Sequence, residues 1–168
     1  DRVGVLAKNI DDFFVLWFGC IKARVTLAPV NWRLAPPEIA FILKDARAKV
    51  LVAGEDFGVV VDMIIGGLPD IKNLIQFEPG HPRWPGFRDW IGRYASSDPR
   101  LPARADDDVI QLYTSGTTGL PKGVQLTQAN FLSLFQLALE AGWAKYDAGK
   151  TNLVVMPLFH VAGTNCGL

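Results

Sequence analysis

Short apolar runs alternate along this chain with longer stretches that carry helix start signals, beginning at the first residues. Val3 to Ala7 reads as a strand. Asp11 and Asp12, acids suited to a helix N-terminus, lead into the apolar run Phe13 to Ile21, which predicts a buried core helix over about Asp11 to Ala23. That run falls well short of the ~20 residues needed to span a bilayer, so no transmembrane segment is expected. Val25 to Val30 is a second strand, closed by Asn31. Pro36-Pro37-Glu38 opens a helix running to about Ala46, with proline and an acid fitted to its first turn. Lys49 to Ala53 is a third strand ended by Gly54, Phe57 to Ile65 a helix, and Asn73 to Phe77 a fourth strand.

The stretch Glu78 to Arg104 breaks the pattern. Its prolines, glycines and scattered charges predict a long loop with a short helix near Phe87 to Tyr94. Beyond it, Val109-Ile110-Gln111-Leu112 reads as a strand, followed by a strand from Gly123 to Leu126 and a helix from about Gln128 to Ala141. Thr151 to Met156 is expected as a further strand, with Pro157 starting a turn that bears His160. Strands alternating with helices predict an α/β fold, a parallel or mixed sheet covered on both faces.

Composition narrows the function. Of 168 residues, 49% are hydrophobic, which excludes a disordered chain, and the length suits one sizeable core. Seventeen basic and seventeen acidic residues cancel with no basic stripe, so no nucleic-acid partner is expected. Cys20 and Cys166 stand far apart and are expected as free buried thiols of a cytoplasmic protein. The chain opens on a charged pair and a strand-like run, so no cleavable leader is expected. Asp106-Asp107-Asp108 reads as a solvated turn rather than a metal site, His81 as solvent-exposed, and Arg33 as a partner in a structural salt bridge.

The chemistry concentrates in one segment. From Tyr113 to Lys122, ten residues hold five hydroxyl side chains, two glycines and one lysine, directly after an apolar strand. Glycines let backbone N–H groups turn inward, while hydroxyls and an ammonium add donors, so the loop suits a polyanion such as ATP. It is not a Walker A loop. Counting from Gly116, the closing Gly-Lys-Ser/Thr positions hold Pro121, Lys122 and Gly123, and a strand-like run follows instead of a helix.

Thr114-Ser115-Gly116-Thr117-Thr118-Gly119-Leu120-Pro121-Lys122-Gly123 resembles the signature loop of the adenylate-forming superfamily, which includes acyl-CoA synthetases, aryl-CoA ligases, luciferases and peptide-synthetase adenylation domains. Pro157-Leu158-Phe159-His160-Val161-Ala162-Gly163 is similar to the family's next motif, an aromatic-plus-His segment beside the carboxylate pocket. Asp1 to Val5 and Ala28 to Leu34 also resemble scaffold stretches of acyl-CoA synthetases. One departure is Gln128, where many members carry His, so no role of that histidine transfers.

The resemblance implies an AMP-forming acyl-CoA synthetase, of which residues 1–168 are part of the large N-terminal, ATP- and acyl-binding domain, the C-terminal domain lying outside. It implies Mg2+ and ATP, a small carboxylic acid as substrate and coenzyme A as thiol acceptor. It places the β- and γ-phosphates on Thr114, Ser115, Gly116, Thr117, Thr118, Gly119 and Lys122, with Thr117 nearest the metal. Lys122 and His160 are the catalytic candidates, and His160, Val161, Ala162, Gly163 and Thr164 the acyl-site candidates. The later Tyr-Gly-x-Thr-Glu segment, a ribose-binding Asp, the hinge and a C-terminal lysine have no match, so the isolated chain is expected to be catalytically silent. Fatty and aryl acids both stay open, as does homo-oligomerisation. The competing readings are another adenylate-forming enzyme, of peptide-synthetase or luciferase type, and a non-catalytic nucleotide-binding module.

Overall fold

The computed structural model describes residues 1–114, 119–142, 151 and 153–166, the side chain of Cys166 excepted. Six strands, β1 (Arg2–Leu6), β2 (Thr26–Pro29), β3 (Val50–Ala53), β4 (Asn73–Gln76), β5 (Asp108–Thr114) and β6 (Lys122–Thr127), form one sheet in the order β4-β3-β1-β2-β5-β6. All neighbours are parallel except β5 and β6, which pair antiparallel. The helices are α1 (Asp12–Lys22), α2 (Pro36–Asp45), α3 (Gly58–Ile64), α4 (Phe87–Ile91), α5 (Gln128–Glu140) and α6 (Val161–Cys166). The expected mixed α/β architecture is what forms.

Central strands covered on both faces must be apolar on both, which is why β1 and β3 read as unbroken apolar runs. Successive residues go to opposite cores. Val5 and Val52 pack with Phe13, Leu16 and Trp17 of α1 and with Phe87, while Leu6 and Leu51 pack with Ile39, Ile42 and Leu43 of α2 and Val61 and Ile64 of α3. Helix α1 starts where Asp11 accepts a hydrogen bond from the Asp12 N–H, and Trp17, fully buried, donates its indole N–H to the Val109 carbonyl at 3.0 Å. Helix α2 opens on the two prolines, with the Ala35 N–H donating to Glu38 at 2.9 Å. Thr127 and Asn130 cap α5 reciprocally, and this helix buries Phe131 edge-on against Trp17 with 5.5 Å between ring centroids. Its Leu132, Leu137 and Leu139 stay exposed.

Four expectations need correcting or sharpening. Thr151 and residues 153–156 form no strand. β-Type composition cannot make a strand without an edge to pair with, and Leu153 and Val155 are 80% and 71% exposed. His81 is half-buried rather than solvent-exposed. Its ring stacks on Trp84 at 3.7 Å, and its Nδ1 accepts from the N–H groups of Arg83 and Trp84, so it organises the proline-rich loop. Arg33 makes no salt bridge with a described residue; its guanidinium lies over Trp32 at 4.6 Å and Phe159 at 5.7 Å, a cation–π bridge. The Asp106–Asp108 turn is tethered as well as solvated. Asp107 accepts from Arg24 and from the Arg104 N–H, and the Arg24 hydrogen bond holds its carboxyl below the ordinary range.

Cys20 is a free thiol, and burial pushes its pKa up to about 12, which suits packing rather than nucleophilic work. Cys166, expected as a second buried thiol, has its side chain outside the described residues. Among the described residues no helix is long and apolar enough to cross a membrane.

Trp17→Ala should lower the stability of the fold by about 3–5 kcal/mol, because it removes a large buried aromatic and leaves the Val109 carbonyl without its donor. Urea unfolding followed by far-UV circular dichroism reads this directly. A loss below about 1 kcal/mol would contradict the core position assigned to Trp17.

Candidate active site

The site forms where two neighbouring strands part. Thr26 and Val30 donate backbone N–H groups toward the β1 side, to the carbonyls of Asp1 and Val5. By the two-residue alternation of a strand, position 29 therefore faces β5, and Pro29 has no N–H to give. The ladder between β2 and β5 registers at Leu27 and Ile110. Past that pair a cleft of about 310 Å³ opens between the C-terminal ends of β2 and β5. Crevices outside the carboxyl ends of strands are the usual ligand positions in open α/β sheets.

Three segments line this cleft. From the β2 side come Pro29, Asn31 and Leu34, with Glu38 and Ile42 of α2. From the hairpin come Tyr113, Thr114, Gly119 and Pro121. Phe159 and His160 complete it. The Ser/Thr/Gly loop is the connection of the β5–β6 hairpin, running from Thr114 to its ladder partner Lys122. This separates it from a Walker A loop, which opens a helix. Gly119 has φ of +92°, a conformation that L side chains rarely adopt.

The strand that delivers the loop is pinned by a hydrogen-bond chain. The Gln111 amide donates to the Tyr113 hydroxyl at 2.8 Å, and that hydroxyl donates to Asp45 at the end of α2 at 2.7 Å. Desolvation and then the Asp45 carboxylate raise the Tyr113 pKa above its ordinary value, so the phenol remains a donor. Across the ladder, Gly123 leaves room for this chain: a Cβ there would lie 3.0 Å from the Tyr113 ring and collide with the Gln111 amide.

His160 closes a turn of its own. Its N–H donates to the Pro157 carbonyl at 3.1 Å, and its Nδ1 accepts from the Ala162 N–H at 3.2 Å. An Nδ1 that accepts leaves Nε2 as the ring's donor. The exposed imidazole thus stands at the start of α6 and at the rim of the cleft.

The predicted residues distribute as follows. Thr114, Gly119 and His160 share the cleft. Lys122 opens β6, is exposed and makes no ion pair with a described residue. Ser115, Gly116, Thr117 and Thr118 lie outside the described residues. Val161, Ala162, Gly163 and Thr164 build α6 behind His160; Thr164 is fully buried and its hydroxyl donates to the Val161 carbonyl at 3.0 Å. Three contributors escaped sequence reasoning: Tyr113 with Asp45, Glu38 at the cleft, and Asn9, whose side chain bonds the backbone on both sides of Pro157. Their partners lie 68 to 149 residues away, except for the local contact of Glu38, so no local pattern could reveal them.

Comparison with known proteins settles the family. Residues 1–168 match the family described as AMP-binding enzyme. The chain belongs to this family. It is 34% identical over 166 residues, covering 97% of this chain and 30% of the relative, to the fatty acid–[acyl-carrier-protein] ligase ScoC of Streptomyces coeruleorubidus. It is 35% identical over 175 residues, covering 96% and 31%, to the long-chain-fatty-acid–CoA ligase FadD13 of Mycobacterium tuberculosis. Among solved structures it superposes on the anthranilate CoA ligase AuaEII in complex with anthranoyl-AMP, with a TM-score of 0.76 and 29% identity over 82% of this chain and 27% of that one. The chain thus spans less than a third of the length of these AMP-binding relatives.

Tyr113→Phe removes a donor from Asp45 and an acceptor from Gln111, and should destabilise the fold by about 0.5–1.5 kcal/mol at neutral pH. Because the folded-state pKa is raised, the unfolded chain loses this proton first, and the stability contributed declines as pH rises above the ordinary value of 10.0. Urea midpoints should therefore fall more steeply between about pH 9 and about pH 11 in the wild type than in Tyr113→Phe. Parallel pH profiles for the two proteins would contradict the Asp45 bond.

Proposed function

We propose that these residues belong to the N-terminal domain of an AMP-forming ligase that activates a carboxylic acid with ATP and passes the acyl group to a thiol. A carboxylate oxygen attacks the α-phosphorus, the bond from that phosphorus to the bridging oxygen breaks, and pyrophosphate leaves. The thiolate then attacks the acyl carbonyl carbon and AMP departs. The observation that carries this reading is the cleft, where Tyr113, Thr114, Gly119 and Pro121 of the hairpin share the lining with His160. Two anions must meet there, and pre-set donors and cations at one edge offset their repulsion.

Within this reading Thr114 to Lys122 hold the β- and γ-phosphates. The exposed ammonium of Lys122, free of any carboxylate partner among the described residues, carries full charge for the leaving pyrophosphate. By sequence, the loop's set of side chains fits magnesium. It offers hydroxyl oxygens, which suit a hard cation that keeps several waters and takes the rest of its shell from phosphates, and Thr117 would supply one. Magnesium held by these residues would supply positive charge against the phosphates. His160 orients the incoming carboxylate through its Nε2 donor, and Val161, Ala162, Gly163 and Thr164 back the acyl end by packing.

The acceptor is coenzyme A, as in the name of the mycobacterial relative; the Streptomyces relative supports a second reading, a carrier-protein thiol. Leu132, Leu137, Leu139, Leu153 and Val155 are each exposed, and such apolar side chains suit being covered in a larger domain.

Lys122→Ala should slow carboxylate-dependent pyrophosphate release by about 10²–10³-fold, the usual effect of removing one oriented donor from a developing charge. An unchanged rate in a folded variant would remove Lys122 from the mechanism. Thr117→Val keeps volume and deletes the hydroxyl, and should weaken the dependence of the rate on magnesium-bound ATP while leaving thermal unfolding unchanged. Identical magnesium titrations for variant and wild type would move the role to another hydroxyl.

A further inference from the structure

We propose that Asn9 is a positioning residue for His160, acting through the turn that carries it. This rests on the assignment of His160 to the carboxylate step. Asn9 lies between β1 and α1, at the C-terminal edge of the central strand. A short polar residue just before a helix would ordinarily cap it. Here Asp11 does that work, accepting from the Asp12 N–H at 2.9 Å, so the Asn9 amide is free to act elsewhere. It reaches across 147 and 149 residues: Nδ2 donates to the Met156 carbonyl at 3.0 Å, and Oδ1 accepts from the Leu158 N–H at 3.1 Å.

The two bonds make a fork that reads the backbone on either side of Pro157. Its orientation is dictated by chemistry, since a carbonyl only accepts and an N–H only donates. Between the fork and the imidazole the chain has little freedom left. Leu158 is 5% exposed and packed into the α1 core, and the His160 N–H is bonded to the Pro157 carbonyl. Arg33 adds a looser lateral support by lying over Phe159. No strand ladder holds this segment among the described residues, so the Asn9 fork takes the place a ladder would have. Asn9 thus couples the end of the central strand to the side chain that faces the substrate carboxylate.

The test is a double-mutant cycle in the full-length protein, using Asn9→Ala, Asn9→Asp, His160→Ala and the Asn9→Ala/His160→Ala pair. The readout is carboxylate-dependent pyrophosphate release, with hydrogen exchange of the peptide 156–162 measured in parallel. Two partly exposed hydrogen bonds predict a loss of about tenfold in kcat/KM for the acid in Asn9→Ala, with KM for ATP changed by less than about twofold. Asn9→Asp should be as poor, since it sets a carboxylate oxygen against the Met156 carbonyl. In the His160→Ala background the Asn9 change should cost less than about twofold further, because the residue it positions is gone. Asn9→Ala with wild-type kinetics, or losses that multiply in the double variant, would overturn the proposal. A silent His160→Ala would remove both the role of His160 and its positioning by Asn9. If the wild type releases no pyrophosphate with any acid, the reaction assignment itself fails. The fork is then judged by exchange alone: faster exchange of 156–162 in Asn9→Ala upholds it as a structural tether, and unchanged exchange refutes it.

Discussion

The cleft depends on β5 being gripped from both sides of the sheet while its end stays open. On one side Trp17 is fully buried in α1 and donates its indole N–H to Val109. On the other, the Tyr113 hydroxyl donates to Asp45 of α2. Between these points the strand carries Ile110 and Leu112 into the core, and beyond them it releases into the donor-rich loop. Under the proposed function, a loop that binds a highly charged ligand gains from such an anchor. Donors fixed before the ligand arrives cost no reorganisation when charge develops.

Pro29 supplies the complementary opening. A residue with an N–H at that position could extend the β2–β5 ladder toward the strand ends and narrow the space in which Thr114 and His160 meet. The antiparallel β6 then turns the loop back along β5, so that Lys122 lies opposite Thr114 rather than one helical turn away. This geometry gives the hairpin loop a cation at its base without the helix N-terminus that Walker-type loops use.

Much of this was legible in the sequence, and the reasons are local. Val3-Gly4-Val5-Leu6 and Val50 to Ala53 are unbroken apolar runs because both sheet faces are covered; the prolines and acids at 11–12 and 36–38 announce α1 and α2. The loop motif stood out because its donors are consecutive. What failed were residues whose role is set by distant partners. Thr151 to Met156 has strand composition, but its described residues join no sheet edge, and the Met156 carbonyl is taken by Asn9 instead. Arg33 has an aromatic partner that arrives 126 positions later; His81 is the local exception, reading as a plain loop residue although Trp84 just beyond it stacks on its ring. Asn9 carries no signal at all in isolation.

The chain belongs to the family of AMP-binding enzymes, and the reading proposed for its cleft is cleavage of ATP at the α-phosphate. Which bond of ATP breaks is therefore the most direct measurement. Full-length protein would be incubated with ATP, magnesium, labelled pyrophosphate and single fatty or aryl acids, with no thiol added. The account predicts label entering ATP only when an acceptable acid is present, with AMP and no ADP as the nucleotide product. Release of ADP and phosphate, or exchange that ignores the acid, would contradict it.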